Sequence, residues 1–220
     1  KITPKMPTGV IWSADNIIQQ LVSVNGNVFV ELRNITFTNA PRALDFKIGV
    51  QGNIHNCVFS MGNTHTAIML DSTSSANIFN NTFHDNGVAV NASQVMGLQN
   101  NIFSTSVNSI LSLTSQDNVT NNLFISEPSN NILGSSNIIG AVGAAEFVSE
   151  SSLDFHLKTN SPAINVGLYI VGLDILDNST VDLGAHGGAR ADTIPNITSG
   201  FIATSTGNLA SNLDLNLSWT

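Results

Sequence analysis

Leu32-Arg33-Asn34-Ile35-Thr36-Phe37 carries the pattern that decides the fold: an aliphatic residue, an asparagine two positions later and a phenylalanine three after that. The pattern returns as Ile54-Asn56-Phe59, Ile78-Asn80-Phe83, Leu98-Asn100-Phe103 and Val119-Asn121-Phe124, with successive phenylalanines 22, 24, 20 and 21 residues apart. A step of that length holds about three strands of 3 to 5 residues with turns between them. Each repeat therefore reads as one coil of a β-solenoid. Second apolar patches recur between the phenylalanines, at Ala43-Leu44, Ala67-Ile68-Met69-Leu70, Val88-Ala89-Val90 and Ile110-Leu111-Ser112-Leu113, and supply a further strand per coil. One coil cannot bury such side chains alone, but coils piled in register place like over like and share a continuous core.

The asparagine column at Asn34, Asn56, Asn80, Asn100 and Asn121 needs its own reason, because a buried amide without partners costs a few kcal/mol. Asparagine tolerates the left-handed backbone of a sharp turn, and stacked amides can bond from coil to coil. The column is read as a structural asparagine ladder, and Phe37, Phe59, Phe83, Phe103 and Phe124 as a core stack. Leucine-rich repeats need a denser leucine pattern, propellers need longer units, and no six-residue rhythm of a left-handed hexapeptide helix is present. The expected fold is all-β, a right-handed parallel β-helix of about 20–24 residues per coil with a C-terminal strand extension.

Composition agrees with this. Of 220 residues only 10% are charged, against roughly 25% in ordinary globular proteins, while 29 are Asn and 25 are Ser, residues that favour turns over helix interiors. A balance of 7 basic against 15 acidic residues gives a net charge of −8 and no footprint for a phosphate backbone, so no nucleic-acid partner is expected. Cys57 is alone and cannot form an internal disulfide. No window has the length of a membrane span, and the start at Lys1-Ile2-Thr3-Pro4 has no signal-peptide core. With no initial Met, the chain reads as a processed protein or a piece of a longer one.

Phe29-Val30-Glu31-Leu32-Arg33-Asn34-Ile35-Thr36-Phe37-Thr38-Asn39-Ala40 resembles a coil of bacterial surface members of the pectate-lyase-like superfamily of β-helix proteins. Asp154 to Lys158, Ser161 to Gly167 and Asp182 to Gly188 are similar, in order and spacing, to the terminating segment of many secreted β-helix proteins, with His186-Gly187-Gly188 where an aromatic and an acid usually stand. The resemblance implies a β-helix over 1–188 with its terminating segment at 147–188, and an extracellular or cell-surface location. It implies no single activity, because the superfamily mixes lyases, hydrolases, adhesins and stalks. Residues 189–196 form a polar linker with a Pro stop at Pro195. The extension 197–220, with Leu213 to Trp219 alternating apolar and polar, looks like the opening strands of a fibronectin III or immunoglobulin-like domain, or a strand donated to the solenoid or to a neighbour.

Two functional classes remain. A structural and interaction module, a stalk, adhesin or filament subunit, would present its Asn, Ser and Thr faces to polysaccharide, to protein or to other copies of itself, head to tail or by strand donation. A polysaccharide lyase or glycoside hydrolase acting on acidic polysaccharide would need a base and clustered carboxylates, for which Arg42, Lys47, Asp71 and Asp85 are the candidates. No cofactor is expected. Ca²⁺ would find oxygen ligands in Asp174, Asp177 and Asp182, with Asn178 beside them, in a spacing that matches no EF-hand or nonapeptide calcium repeat. Arg33 and His55, followed in the same phase by Phe79, Gln99 and Thr120, read as an exposed strand face, and Thr36, Thr82 and Thr120 as outward threonines too irregular for a flat binding array. His156 and His186 are assigned structural roles in the terminating segment. Seven glycosylation sequons start at Asn34, Asn80, Asn91, Asn118, Asn178, Asn196 and Asn216.

Overall fold

A single residue makes one bend of every coil. Asn34, Asn56, Asn80, Asn100 and Asn121 have positive φ of 51–57°, the left-handed conformation that asparagine adopts more readily than most residues bearing a Cβ. The computed structural model describes residues 10–13, 20–114, 118–126, 136–140, 145–169, 179–188 and 202–205.

Over residues 10–120 the chain visits three sheets in the same order on every turn. It runs through β1 (Val10–Ser13) in the first sheet, β2 (Val22–Val24) in the second and β3 (Val28–Arg33) in the third. The cycle repeats as β4 (Ile35–Thr38), β5 (Arg42–Phe46) and β6 (Gln51–His55), then β7 (Val58–Ser60), β8 (Gly62–Leu70) and β9 (Ser75–Phe79). It continues through β10 (Thr82–His84), β11 (Asn86–Ala92) and β12 (Gly97–Gln99), and through β13 (Ile102–Ser104), β14 (Asn108–Leu111) and β15 (Val119–Thr120). Finally β16 (Leu123–Phe124) and β17 (Ile138–Ile139) rejoin the first sheet. Strands from successive coils pair in parallel, so the molecule is a parallel β-solenoid of about five turns, with essentially no helix among the described residues.

Register puts like residues over one another. In the first sheet Phe37, Phe59, Phe83, Phe103 and Phe124 point inward, all at 1% exposure or less. Their rings stack at 5.0, 5.0, 4.8 and 4.7 Å, tilted by 9° or less, close to the ~4.8 Å between neighbouring strands. The third sheet contributes Leu32, Ile54, Ile78, Leu98 and Val119, and the second Leu44, Ile68, Val90 and Ile110, all fully buried in the same core. Gly52 is demanded by packing: a Cβ there would stand 2.5 Å from the carbonyl oxygen of Val30 and 3.2 Å from the Phe46 ring.

A second core lies on the outside of the first sheet. Val58, Ile102 and Leu123 stand one residue before their phenylalanines and so face outward, where Ala145, Phe147, Phe155, Ala163, Leu183 and Ala185 cover them. These covering residues come from an antiparallel hairpin, β18 (Phe147–Ser149) and β19 (Asp154–Leu157), and from the strap that follows it. The hairpin connection is a short 3₁₀ turn, Glu150–Ser152, closed by Leu153 at φ 57°.

Of the expected C-terminal extension, β20 (Ile202–Ser205) is described. It pairs antiparallel with β3, Ile202 opposite Glu31 and Ser205 opposite Val28, and so occupies the N-terminal edge of the third sheet of its own chain. The strand expected over Leu213 to Trp219 lies outside the described residues. Among the described residues no helix is long and apolar enough to cross a membrane.

Candidate functional site

The strap is the part of the surface most elaborately built. It runs back along the solenoid, and the turn asparagines hold it by their amides, crossing from late coils to early ones. Asn121 Nδ2 donates to the carbonyl of Val166 at 3.2 Å, and Asn100 exchanges two bonds with Leu168, donating at 2.8 Å and accepting at 2.7 Å. Asn80 Nδ2 donates to the carbonyl of Asp182 at 3.0 Å, and Asn56 Nδ2 to those of Ala185 and Gly187, both at 3.0 Å. Thr82 Oγ1 accepts from the Ala185 amide at 3.0 Å, so this threonine is fully buried rather than presented outward. Gly184, at φ 88°, lies so close that a Cβ would meet Ile102 Cδ1 at 2.7 Å and Thr82 Oγ1 at 2.9 Å. Asn34 belongs to the same column, and its buried amide has no hydrogen-bond partner.

The coil-to-coil ladder expected of this column is built one residue later. Asn81, Asn101 and Asn122 are fully buried, and each Oδ1 accepts the backbone N–H of the preceding coil: Asn81 from Cys57, Asn101 from Asn81, Asn122 from Asn101, at 2.9–3.0 Å. Asn137 continues the series by accepting from Asn122 at 2.8 Å. Each Nδ2 reaches back to a carbonyl of the preceding coil, as Asn101 does to Ile78 at 2.9 Å. Within the turn column one bond of this kind is present, Asn100 Nδ2 to Asn80 Oδ1 at 3.3 Å. The physical reason is direction: a left-handed residue turns its side chain out of the bend, and the next residue points in. The doublets Asn80-Asn81, Asn100-Asn101 and Asn121-Asn122 were the signal for two columns rather than one.

The column at Arg33, His55, Phe79, Gln99 and Thr120 is not a solvated face throughout. His55 and Phe79 are 1% and 7% exposed and stack at 4.7 Å, tilted by 8°. His55 is fixed on both ring nitrogens, Nδ1 lying 3.0 Å from Asn56 Oδ1 and Nε2 3.2 Å from Glu31 Oε1. Stacking covers one face of each ring with the other, which the residue types alone do not reveal. Beside it, Asn77 Nδ2 donates to Asn53 Oδ1 at 3.1 Å on the outer face of the third sheet.

The four candidate catalytic residues stand at two corners. Arg42 opens β5 and Asp85 precedes β11, both between the first and second sheets; Lys47 follows β5 and Asp71 follows β8, both between the second and third. The two corners lie at opposite ends of the second-sheet strands, about five residues or roughly 15 Å apart. Arg42 binds Asp45 at 2.8 Å, with Lys47 at 3.9 Å from the same Oδ2. Asp71 caps its own turn, Oδ1 accepting from the Thr73 N–H and Oγ1, each at 2.9 Å; these bonds hold its carboxyl below the ordinary range. No common groove joins all four.

In the terminating segment, His156 Nδ1 lies 2.6 Å from Asp154 Oδ1, and the His156 and His186 rings stack with centroids 3.8 Å apart. That bond lowers the Asp154 carboxyl, while burial, then the neighbouring His156, pushes His186 down to about 4. Asp182, offered above as a cation ligand, accepts from the Asn165 N–H at 2.7 Å; Asp174 and Asp177 lie outside the described residues. No group of three or more His, Cys, Asp or Glu able to hold a metal occurs among the described residues. Cys57 is buried, and desolvation raises its thiol to about 12. Of the described sequons, Asn34 and Asn80 are buried, Asn91 is half-buried and Asn118 is exposed.

No family model, no curated protein and no solved structure matches the chain.

Proposed function

We propose that this chain is a structural and interaction module of a secreted or cell-surface protein, a β-helix whose polar faces engage polysaccharide or protein without altering it. The observation that carries the reading is how its acids and bases are used. Arg42 with Asp45, Asp71 with Thr73, His55 with Glu31, Lys158 with Glu146 and Asp154 with His156 are each taken up by a neighbour within the same turn, hairpin or adjacent coil. A reaction on a sugar needs an acid and a base converging on one bond; the four candidates are split between two corners, and in each corner one member is already held, Arg42 by Asp45 and Asp71 by Thr73. A long stack of coils with few charges suits repeated weak hydrogen bonding along an extended ligand.

The test is a panel of acidic and neutral polysaccharides, scored for retention on the immobilised polymer and for new chain ends in the supernatant. Retention without new ends is the expected result. New ends that vanish in Asp71→Asn or Arg42→Ala would overturn the reading in favour of a polysaccharide lyase or hydrolase.

A further inference from the structure

The strand β20 and the edge it covers form a self-complementary pair of sites. We infer that a second copy of this chain is the partner they fit: two molecules exchange their Ile202–Ser205 strands, each completing the third sheet of the other. This deepens the module reading above and rests on it.

Four observations lead there. First, the acceptor is the terminal edge of the third sheet, and β20 is its only antiparallel member among the described residues; every other neighbour in that sheet is the next coil of the solenoid. Second, the pairing is short, four positions from Ile202 opposite Glu31 to Ser205 opposite Val28. An edge of unpaired N–H and C=O groups accepts any extended strand of suitable register. Third, β20 carries no charged residue, and neither does β1 or β2 at the corresponding edges of the other two sheets. Charge on an edge strand is a common device against pairing between molecules; the donated strand lacks it, while on β3 Glu31 is taken up by His55 and Arg33 stands beyond the paired positions. Fourth, 13 residues separate Gly188 on the strap from Ile202, a contour of roughly 45 Å. That reach extends to a facing molecule as readily as to the chain's own edge.

The contacts made within one chain and between two are identical, so the balance between them is set by the tether. A tether of this length gives an effective concentration on the order of millimolar; below that the strand closes on its own chain, and above it exchange takes over. The strap delivers the strand to the N-terminal end of its own solenoid, so the nearest foreign edge belongs to a molecule presenting the same end. Reciprocal exchange then closes a two-fold pair and needs no new surface.

Two single-cysteine variants decide the matter, because Thr204 lies opposite Phe29 and the native Cys57 is buried. Full-length Thr204→Cys and Phe29→Cys are mixed under oxidised glutathione from about 10 μM to about 1 mM, alongside the double variant in one chain. Expected are an internal crosslink in the double variant at low concentration and a mixed disulfide dimer that rises at least tenfold across the series. Adding Ala203→Pro to the Thr204→Cys chain, which breaks the strand beside the thiol, should abolish the mixed dimer. A double variant that closes fully while the mixture stays uncrosslinked at every concentration overturns the exchange, as does absence of crosslinking in both. The polysaccharide panel is scored separately, so loss of the exchange leaves the module reading standing, and cleavage of a polymer leaves the exchange standing.

Discussion

Two columns of asparagine run side by side through this molecule, one residue out of phase, and they do opposite work. Asn81, Asn101, Asn122 and Asn137 tie each coil to the next from inside the bend. Asn56, Asn80, Asn100 and Asn121 tie a separate segment onto the outside. The same amide thus serves vertical or lateral connection according to the sign of φ one residue earlier. A left-handed residue faces out and its successor faces in, so residue type at these turns is read together with backbone conformation.

The comparison can be broken most severely from inside. Asn101→Leu leaves the Asn81 amide without its acceptor and the Ile78 carbonyl without its donor in a fully buried site. At about 1–3 kcal/mol per unsatisfied group, a loss of about 3 kcal/mol is expected in urea denaturation. On the outer column, Asn100→Gly keeps the left-handed turn available but removes both bonds to Leu168. It should cost about 1–2 kcal/mol, with proteolysis confined to 145–188 and the core ring stack unaltered by near-ultraviolet dichroism. If both variants unfold the whole molecule equally, the two columns are one structural unit and the contrast fails.

A milder change comes from pH. His186 is held at about 4, below its ordinary 6.5, by burial and by the adjacent His156. A lowered histidine pKa means that the folded state resists taking up the proton that the unfolded chain accepts. Stability is therefore complete above about 6.5 and declines as pH falls from there to about 4. Protection of the strap against protease should fade across that window, and His186→Phe, which keeps a ring against His156, should flatten the response. The smallest expected effect is at the end of the inner ladder. Cys57 occupies the ladder phase, and its N–H already donates to Asn81 Oδ1, so Cys57→Asn would add a rung and change stability by less than about 1 kcal/mol. In the parent protein the thiol, raised to about 12, should resist aqueous disulfide reagents until global unfolding.

The solenoid was legible because its signal is repeated: five phenylalanines and five aliphatic partners at near-constant phase average out local exceptions. The turn conformation of Asn34 to Asn121 was legible for the same reason, and two columns were visible in the doublets once inward and outward directions were assigned. The strap was not, because it occurs once. Nothing periodic marks Leu168 or Ala185 as partners of Asn100 and Asn56, which lie 68 and 129 residues away. His55 and Phe79 hid for a different reason: their burial comes from stacking on one another, a property of register and not of either residue. The dispersal of Arg42, Lys47, Asp71 and Asp85 likewise followed only from knowing which corner each coil assigns to them.

A pile of coils held only by nearest neighbours unravels from its ends, each coil melting with little regard for distant ones. The strap changes that statistical character. Its bonds to Asn121, Asn100, Asn80 and Asn56 span 45, 68, 102 and 131 residues, so late chain is fastened across four successive coils. Melting of any one of them releases a contact shared with the others, which turns fraying into a single cooperative transition. Under tension the same geometry acts as a zipper: once β20 has left β3, a pull on the C-terminal side loads the rungs in sequence from Asn56 upward, and the coils beneath them bear force only after the last has opened.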